Sequence, residues 1–189
     1  RATLGGNLGT ASPIGDLPPV LLALGADVVL RSSRWVRSVP IEDFFTGYRQ
    51  TAMRPDEIVE SIVIPRGPAQ RGWTRRADSY KVSKRRELDI SIVAAAFCVD
   101  LDASNVVRRA ALAYGGVAAT PVRAKKTEAA LVGKPWTRAT IDAVLPVLEA
   151  EFKPIADVRS GDEFRRGLIA SLFEKFFEGD TSLAQDLPL

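Results

Sequence analysis

Thirteen residues near the start of the chain, Thr3 to Gly15, carry four glycines, two threonines, one serine and one asparagine, and Asp16 follows them. The chemistry open to such a stretch is recognition of an anion. Glycine lets a ligand approach the main chain closely, and amides at a helix start lack internal partners and favour phosphate or pyrophosphate. Ser12-Pro13 has the form of an N-cap followed by proline at the first helical position, so the helix supplying those amides is expected to begin there. The same composition also serves as turn punctuation in many folds, and the residues alone leave both readings open. The glycines match neither GxGxxG nor a phosphate-binding loop with lysine in Walker spacing.

Other chemistry is limited by what the chain lacks. It has no histidine and one cysteine, Cys98, inside the apolar run Ile92 to Val99. An intrachain disulfide is therefore impossible, and these residue types cannot assemble a zinc or iron-sulfur site. Cys98 is expected to be a small buried hydrophobe. Lys81, Lys84, Arg85 and Arg86, preceded by Arg75 and Arg76, form the densest basic cluster, but Val82 and Ser83 interrupt it and Glu87 and Asp89 follow. A solvated loop or a site for one anionic cofactor fits better than a nucleic-acid footprint.

The elements that must position these residues follow from length and periodicity. With 189 residues, 46% hydrophobic and 26% charged, and a net charge of +3, the chain has the composition of a globular protein with a sizeable core. No apolar run reaches the ~18 residues of a membrane helix, and no secretory signal is visible; no membrane contact and a cytoplasmic location are expected. Leu17 to Leu24 predicts a short helix with Pro18-Pro19 in its first turn and Gly25 as its C-cap, which makes Asp16 a candidate first-turn carboxylate. Asp27–Arg31 and Val36–Ile41 predict a hairpin, and Phe44 and Phe45 belong to a short amphipathic turn stopped by Gly47. After the turn Arg54 to Glu57, the stretch Ile58–Ile64 predicts a strand. Pro65-Arg66-Gly67-Pro68, with Gln70 to Gly72, marks a boundary between residues 1–66 and 72–179. Beyond it, Trp73–Val82, Ile90–Val99 and Val106–Tyr114 predict an antiparallel meander. Helices are expected from about Arg123 to Leu131, after a Thr137 cap, and over Asp162–Glu178, whose stripe of Phe164, Leu168, Leu172, Phe173, Phe176 and Phe177 is core. The fold class is α+β, a three-stranded sheet packed with three helices, and Asp180–Leu189 reads as a loose tail.

Four ordered blocks carry a resemblance. TLGGNLGTASPIGDLPPVLLALGA from Thr3, FFTGYRQT at Phe44–Thr51, YKVSKRRELDIS at Tyr80–Ser91 and YGGVAATPVRA at Tyr114–Ala124 resemble the FAD-carrying part of bacterial xanthine dehydrogenase small subunits, in the molybdenum hydroxylase family. The likeness continues to about Phe177, so it spans nearly the whole chain. It implies that residues 1–66 are the C-terminal part of an FAD-binding domain and residues 72–179 a flavoprotein C-terminal domain. It also implies FAD contacts from Thr3, Gly5, Gly6, Asn7, Thr10 and Asp16, with Asp16 serving ribose hydroxyls or an adenine amine. Val59 would contribute main chain, and Lys81 would stand near the isoalloxazine, where a cation stabilises electron density gained on reduction. The block Lys84 to Asp89 resembles the loop beside the flavin, and Leu88 departs from relatives that carry an acidic residue there. The implied partners are upstream iron-sulfur and FAD segments of the same subunit, a molybdopterin-binding large subunit and NAD+. A start at Arg1 instead of methionine, directly before the glycine run, reads as that of a C-terminal fragment. Another molybdenum hydroxylase, such as an aldehyde or carbon monoxide dehydrogenase, and a flavin-free assembly fragment are the alternatives.

Overall fold

The computed structural model describes residues 3–85, 89–154 and 161–179. The Thr3 side-chain oxygen accepts from the Gly6 amide at 3.0 Å and starts helix α1 (Leu4–Gly9). The glycine run expected as an open turn is therefore largely helical. The Thr3 cap, and the Thr10 hydroxyl that donates to the Gly6 carbonyl at 2.7 Å, offset the poor helix propensity of three glycines. Helix α2 has the expected span Leu17–Leu24, with Asp16 at the N-cap position, so Ser12-Pro13 does not cap it. Ser12 instead closes a local turn: its hydroxyl accepts from the Ile14 amide and its carbonyl from the Gly15 amide. Gly25 ends α2 in the left-handed region, as its position after the last apolar residue requires.

Strand β1 (Asp27–Arg31) pairs antiparallel with β2 (Val36–Pro40), which is the expected hairpin. Helix α3 (Ile41–Phe44) and the small ribbon of β3 (Phe45–Gly47) and β4 (Gln50–Thr51) lead to β5 (Ile58–Val63), which pairs with the other edge of β1. Glu57 holds the turn ahead of β5. Its carboxylate accepts from Arg37 Nε at 2.7 Å and Nη2 at 2.8 Å, from the Arg54 amide at 2.8 Å and from Trp35 Nε1 at 3.3 Å.

After the connecting segment, β6 (Thr74–Val82), β7 (Val93–Leu101) and β8 (Val107–Gly115) form the antiparallel meander, and β9 (Val122–Arg123) extends it to four strands in the order β6-β7-β8-β9. The fourth strand was not expected, because two residues are too few to show a period of two. Helices α4 (Lys125–Leu131), α5 (Arg138–Glu151) and α6 (Asp162–Gly179) are the last of the described elements.

All nine residues of β7 are buried. Its bulky side chains, Phe97, Val99 and Leu101, share a core with Tyr114 of β8, Ile141 and Leu148 of α5, and Phe173 and Phe176 of α6. Its small ones, Ala96 and Cys98, join Ala111 and Ala113 of β8 against Leu21, Leu22 and Ala23 of α2. One polar residue, Asp100, is accommodated in this strand: burial works to raise its carboxyl, but a bidentate Arg75 at 2.7 and 2.9 Å, with the Ala69 amide and Arg109, outweighs that and leaves it below the ordinary range. The α6 stripe is buried at Leu172, Phe173 and Phe176, but Phe164 is 55% exposed. It lies in the first turn of the helix, where Arg165 is the residue that turns inward. The expectations for Arg86, Glu87, Leu88 and the 180–189 tail fall outside the described residues.

Gly116 ties the two halves together. At φ 87°, its amide donates to the Pro13 carbonyl at 2.8 Å and its own carbonyl accepts from Arg165 Nη1 at 2.6 Å. A Cβ there would stand 2.3 Å from the Ile92 carbonyl oxygen. Gly116→Ala is expected to lower the unfolding free energy by about 2–4 kcal/mol, measured by urea denaturation. The Arg37 hydrogen bonds hold the Glu57 carboxyl at about 2, against an ordinary 4.5. A depressed folded value means that this stabilisation is complete above the unfolded value and is lost as pH falls from about 4.5 to about 2. Glu57→Gln should flatten stability against pH across that window, which thermal unfolding in acid buffers measures.

Candidate functional site

The clearest convergence of polar side chains joins positions far apart in sequence. Lys81, at the end of β6, donates from Nζ to Asp16 Oδ2 at 2.7 Å, and the Ser91 hydroxyl, just before β7, donates to Asp16 Oδ1. Asp16 occupies the N-cap position of α2 without making a cap hydrogen bond, so its carboxylate is directed by these two partners and not by its own helix. The Asp16 side chain is 50% exposed and that of Lys81 42%, which leaves both accessible to a ligand. The main chain at Lys81 continues into an open basin of about 390 Å³ lined by Lys81, Val82, Ser83, Lys84 and Arg85. Arg85 donates its amide to the Asp89 carboxylate at 2.9 Å, which fixes the end of the described loop. Amide hydrogen bonds from Ile90 and Arg85 keep the Asp89 carboxyl below its ordinary value.

The glycine-bearing helix lies beside this pair. Gly5 faces Val59 of β5, where an added Cβ would meet Val59 Cβ at 3.7 Å. An added Cβ on Gly6 would stand 2.8 Å from the Thr3 Oγ1 cap, and one on Gly9 would meet nothing within 4 Å. Asn7 Oδ1 is buried and has no hydrogen-bond partner among the described residues, and it lies 3.2 Å from where a Cβ on Gly15 would be. Thus Gly5, Gly6 and Asn7 lie in α1 with Thr3 and Thr10 as its caps, Val59 backs it, and Gly15-Asp16 links Asn7 to the Lys81 ion pair. The structure brings the expected residues into one neighbourhood. Asp16 and Lys81 stand together in it as an ion pair of 2.7 Å. Ser91 escaped the sequence reading because nothing in spacing links it to a carboxylate 75 residues away.

An acceptor-only carboxylate and an ammonium, with open space beside Gly9, provide a donor and acceptors for a polar ligand of mixed character. An orphaned buried oxygen such as Asn7 Oδ1 carries a desolvation cost. These residues fit a flavin dinucleotide, which offers N–H and hydroxyl donors together with phosphate acceptors.

The chain belongs to the flavoprotein part of the molybdenum hydroxylase family. Residues 78–179 match the CO dehydrogenase flavoprotein C-terminal domain, and residues 1–67 match the FAD binding domain in molybdopterin dehydrogenase. Among curated relatives it is 41% identical over 178 residues to a xanthine dehydrogenase and 41% identical over 180 residues to a nicotinate hydroxylase, both of Emericella nidulans. Each match covers 93% of this chain and 13% of the relative, so the chain spans about an eighth of the length of these proteins. The fold is that of the carbon monoxide dehydrogenase structure from Hydrogenophaga pseudoflava, with a TM-score of 0.83, 26% identity, and coverage of 93% of this chain and 59% of that one. FAD is the cofactor that both family models and the relatives support.

Lys81→Ala and Asp16→Ala are each expected to weaken FAD retention in the full-length flavoprotein by about tenfold or more. Because the ion pair is half exposed, Lys81→Ala should change the unfolding free energy of the ligand-free protein by only about 1 kcal/mol or less. Flavin titration and urea unfolding read the two effects separately, and unchanged flavin occupancy in both variants would remove the pair from the site.

Proposed function

We propose that this chain is the flavin-holding portion of the FAD-binding electron-transfer subunit of a xanthine dehydrogenase. The observation that carries the reading is the Asp16–Lys81 ion pair beside α1, which joins a residue of the region matching the FAD-binding domain to one of the region matching the flavoprotein C-terminal domain. The two matched regions supply one site together. In this reading Thr3, Gly5, Gly6, Asn7 and Thr10 meet the cofactor from α1, Val59 supports that helix from β5, and Asp16 and Lys81 hold and electrically balance one portion of it. The domain division at residues 66–72 belongs to the same proposal.

When bound, FAD supplies the redox chemistry, relaying to NAD+ the electrons of purine hydroxylation that reach it through iron-sulfur clusters from a molybdopterin-binding large subunit. The task of these residues is to bind, orient and electrostatically tune. Lys81 carries the positive charge that favours added electron density, and Asp16 limits that charge before the ligand arrives. The upstream iron-sulfur and FAD segments and the large subunit are the partners in this reading, and the complex works in the cytoplasm.

The xanthine reading is supported by the SKRRELDIS and FFTGYRQT blocks and by the 41% identity to a xanthine dehydrogenase. A second reading, the flavoprotein subunit of another molybdenum hydroxylase, is favoured by the equal identity to a nicotinate hydroxylase. The complete complex should reduce NAD+ with xanthine or hypoxanthine and not with nicotinate or carbon monoxide, followed by NADH absorbance. Turnover only with nicotinate or carbon monoxide would select the second reading, and a full-length subunit isolated without flavin would sink both.

A further inference from the structure

Ser91 is 1% exposed, the most deeply buried side chain of the cluster that surrounds the candidate flavin site. Its main chain is fixed on its C-terminal side. The Ile92 amide donates to the Val82 carbonyl at 2.7 Å, and the Ile92 carbonyl accepts from Arg165 Nη1 at 2.9 Å. The same Arg165 atom also donates to the Gly116 carbonyl, and Gly116 in turn holds Pro13, three residues before Asp16. Ser91 and Asp16 therefore project from backbone segments joined through Arg165 and Gly116.

On this rigid base the Ser91 hydroxyl donates to Asp16 Oδ1 while Lys81 takes Oδ2. An ionised carboxylate only accepts, with about two lone-pair sites on each oxygen, so each oxygen keeps capacity for a further donor. The two bonds differ in permanence. The Lys81 ammonium sits on a flexible, half-exposed stem and can turn towards a ligand. The Ser91 hydroxyl is short, buried and cannot follow a moving partner.

We propose that Ser91 is a positioning residue of the flavin site, fixing the Asp16 carboxylate in the orientation that receives the cofactor when Lys81 is drawn away to it. The proposal rests on the FAD reading and goes beyond it, because it assigns the orientation of Asp16 to Ser91 and not to the ion pair. Removing the hydroxyl leaves the carboxylate free to rotate with Lys81, so that ordering it becomes part of the cost of binding.

The test is a double-mutant cycle on the full-length flavoprotein, reading FAD dissociation constants by flavin fluorescence and checking folding by circular dichroism and thermal unfolding. Ser91→Ala should weaken FAD binding about tenfold in the Asp16 protein and produce little further loss in the Asp16→Ala protein. Ser91→Cys, which fills the same space with a poor donor, should follow Ser91→Ala and so separates hydrogen bonding from packing if the alanine variant is unstable. Equal losses in the Asp16 and Asp16→Ala backgrounds would make Ser91 merely structural and overturn the proposal. Unchanged affinity in Ser91→Ala and Ser91→Cys would overturn it while leaving the FAD reading in place. A wild-type subunit that takes up no FAD would overturn both.

Discussion

The architecture depends on strand β7 being buried from both sides. A strand with one wet face needs only one covering layer, but β7 places large side chains on one face and alanines and a cysteine on the other. The large face requires a thick layer, which α5 and α6 provide with an aromatic cluster around Phe97, whose ring lies 5.3 Å from that of Tyr114 and 5.7 Å from that of Phe173. The small face requires a close one, and α2 lies against Ala96, Cys98, Ala111 and Ala113. Burial also raises the Cys98 thiol, although nearby Arg109 opposes that, so Cys98 acts as a packing residue. The family match divides at residues 67 and 78, but the packing does not: the first half contributes a helix to the second half's sheet.

That arrangement explains where the polar cluster forms. The start of α2 comes to the end of the sheet where β6 finishes and β7 begins, so Asp16 meets both Lys81 and Ser91. The other end of α2 is held by charge: Arg109 Nη2 donates to the Ala23 carbonyl at 2.9 Å, in the last turn of the helix, where a cation favours the unsatisfied carbonyls. A helix anchored at its C-terminus by Arg109 and packed along small residues presents its N-cap to the strand ends with little freedom. Arg165 adds the remaining constraint, tying Ile92 and Gly116 through one nitrogen.

The ion pairs differ in exposure. Arg37–Glu57 and Arg75–Asp100 have carboxylate side chains with no exposure and multiple hydrogen bonds, and they hold turns and strands in place. Asp16–Lys81 is half exposed with a single contact of 2.7 Å, an arrangement that contributes little to stability and is readily exchanged for contacts to a ligand.

The sequence by itself determined the order and type of most elements, because hydrophobic period, proline and glycine positions act over a few residues. The hairpin of β1 and β2, the meander, the Gly25 cap and the burial of Cys98 are of this kind. The glycine run is helical instead of an open turn because two hydroxyls, those of Thr3 and Thr10, close it, and composition does not reveal such contacts. Phe164 kept the helical spacing of its neighbours yet stays outside, since period specifies a face but not where along the helix the partner surface begins. Ordered blocks pointed to the family and to candidate cofactor residues without saying how these meet. Only the tertiary structure decided that Asp16 and Lys81 form one unit, that Ser91 belongs to it and that Asn7 carries an unpartnered oxygen. Contacts between residues 65 and 75 positions apart depend on how α2 seats on the sheet, and no local pattern encodes that seating.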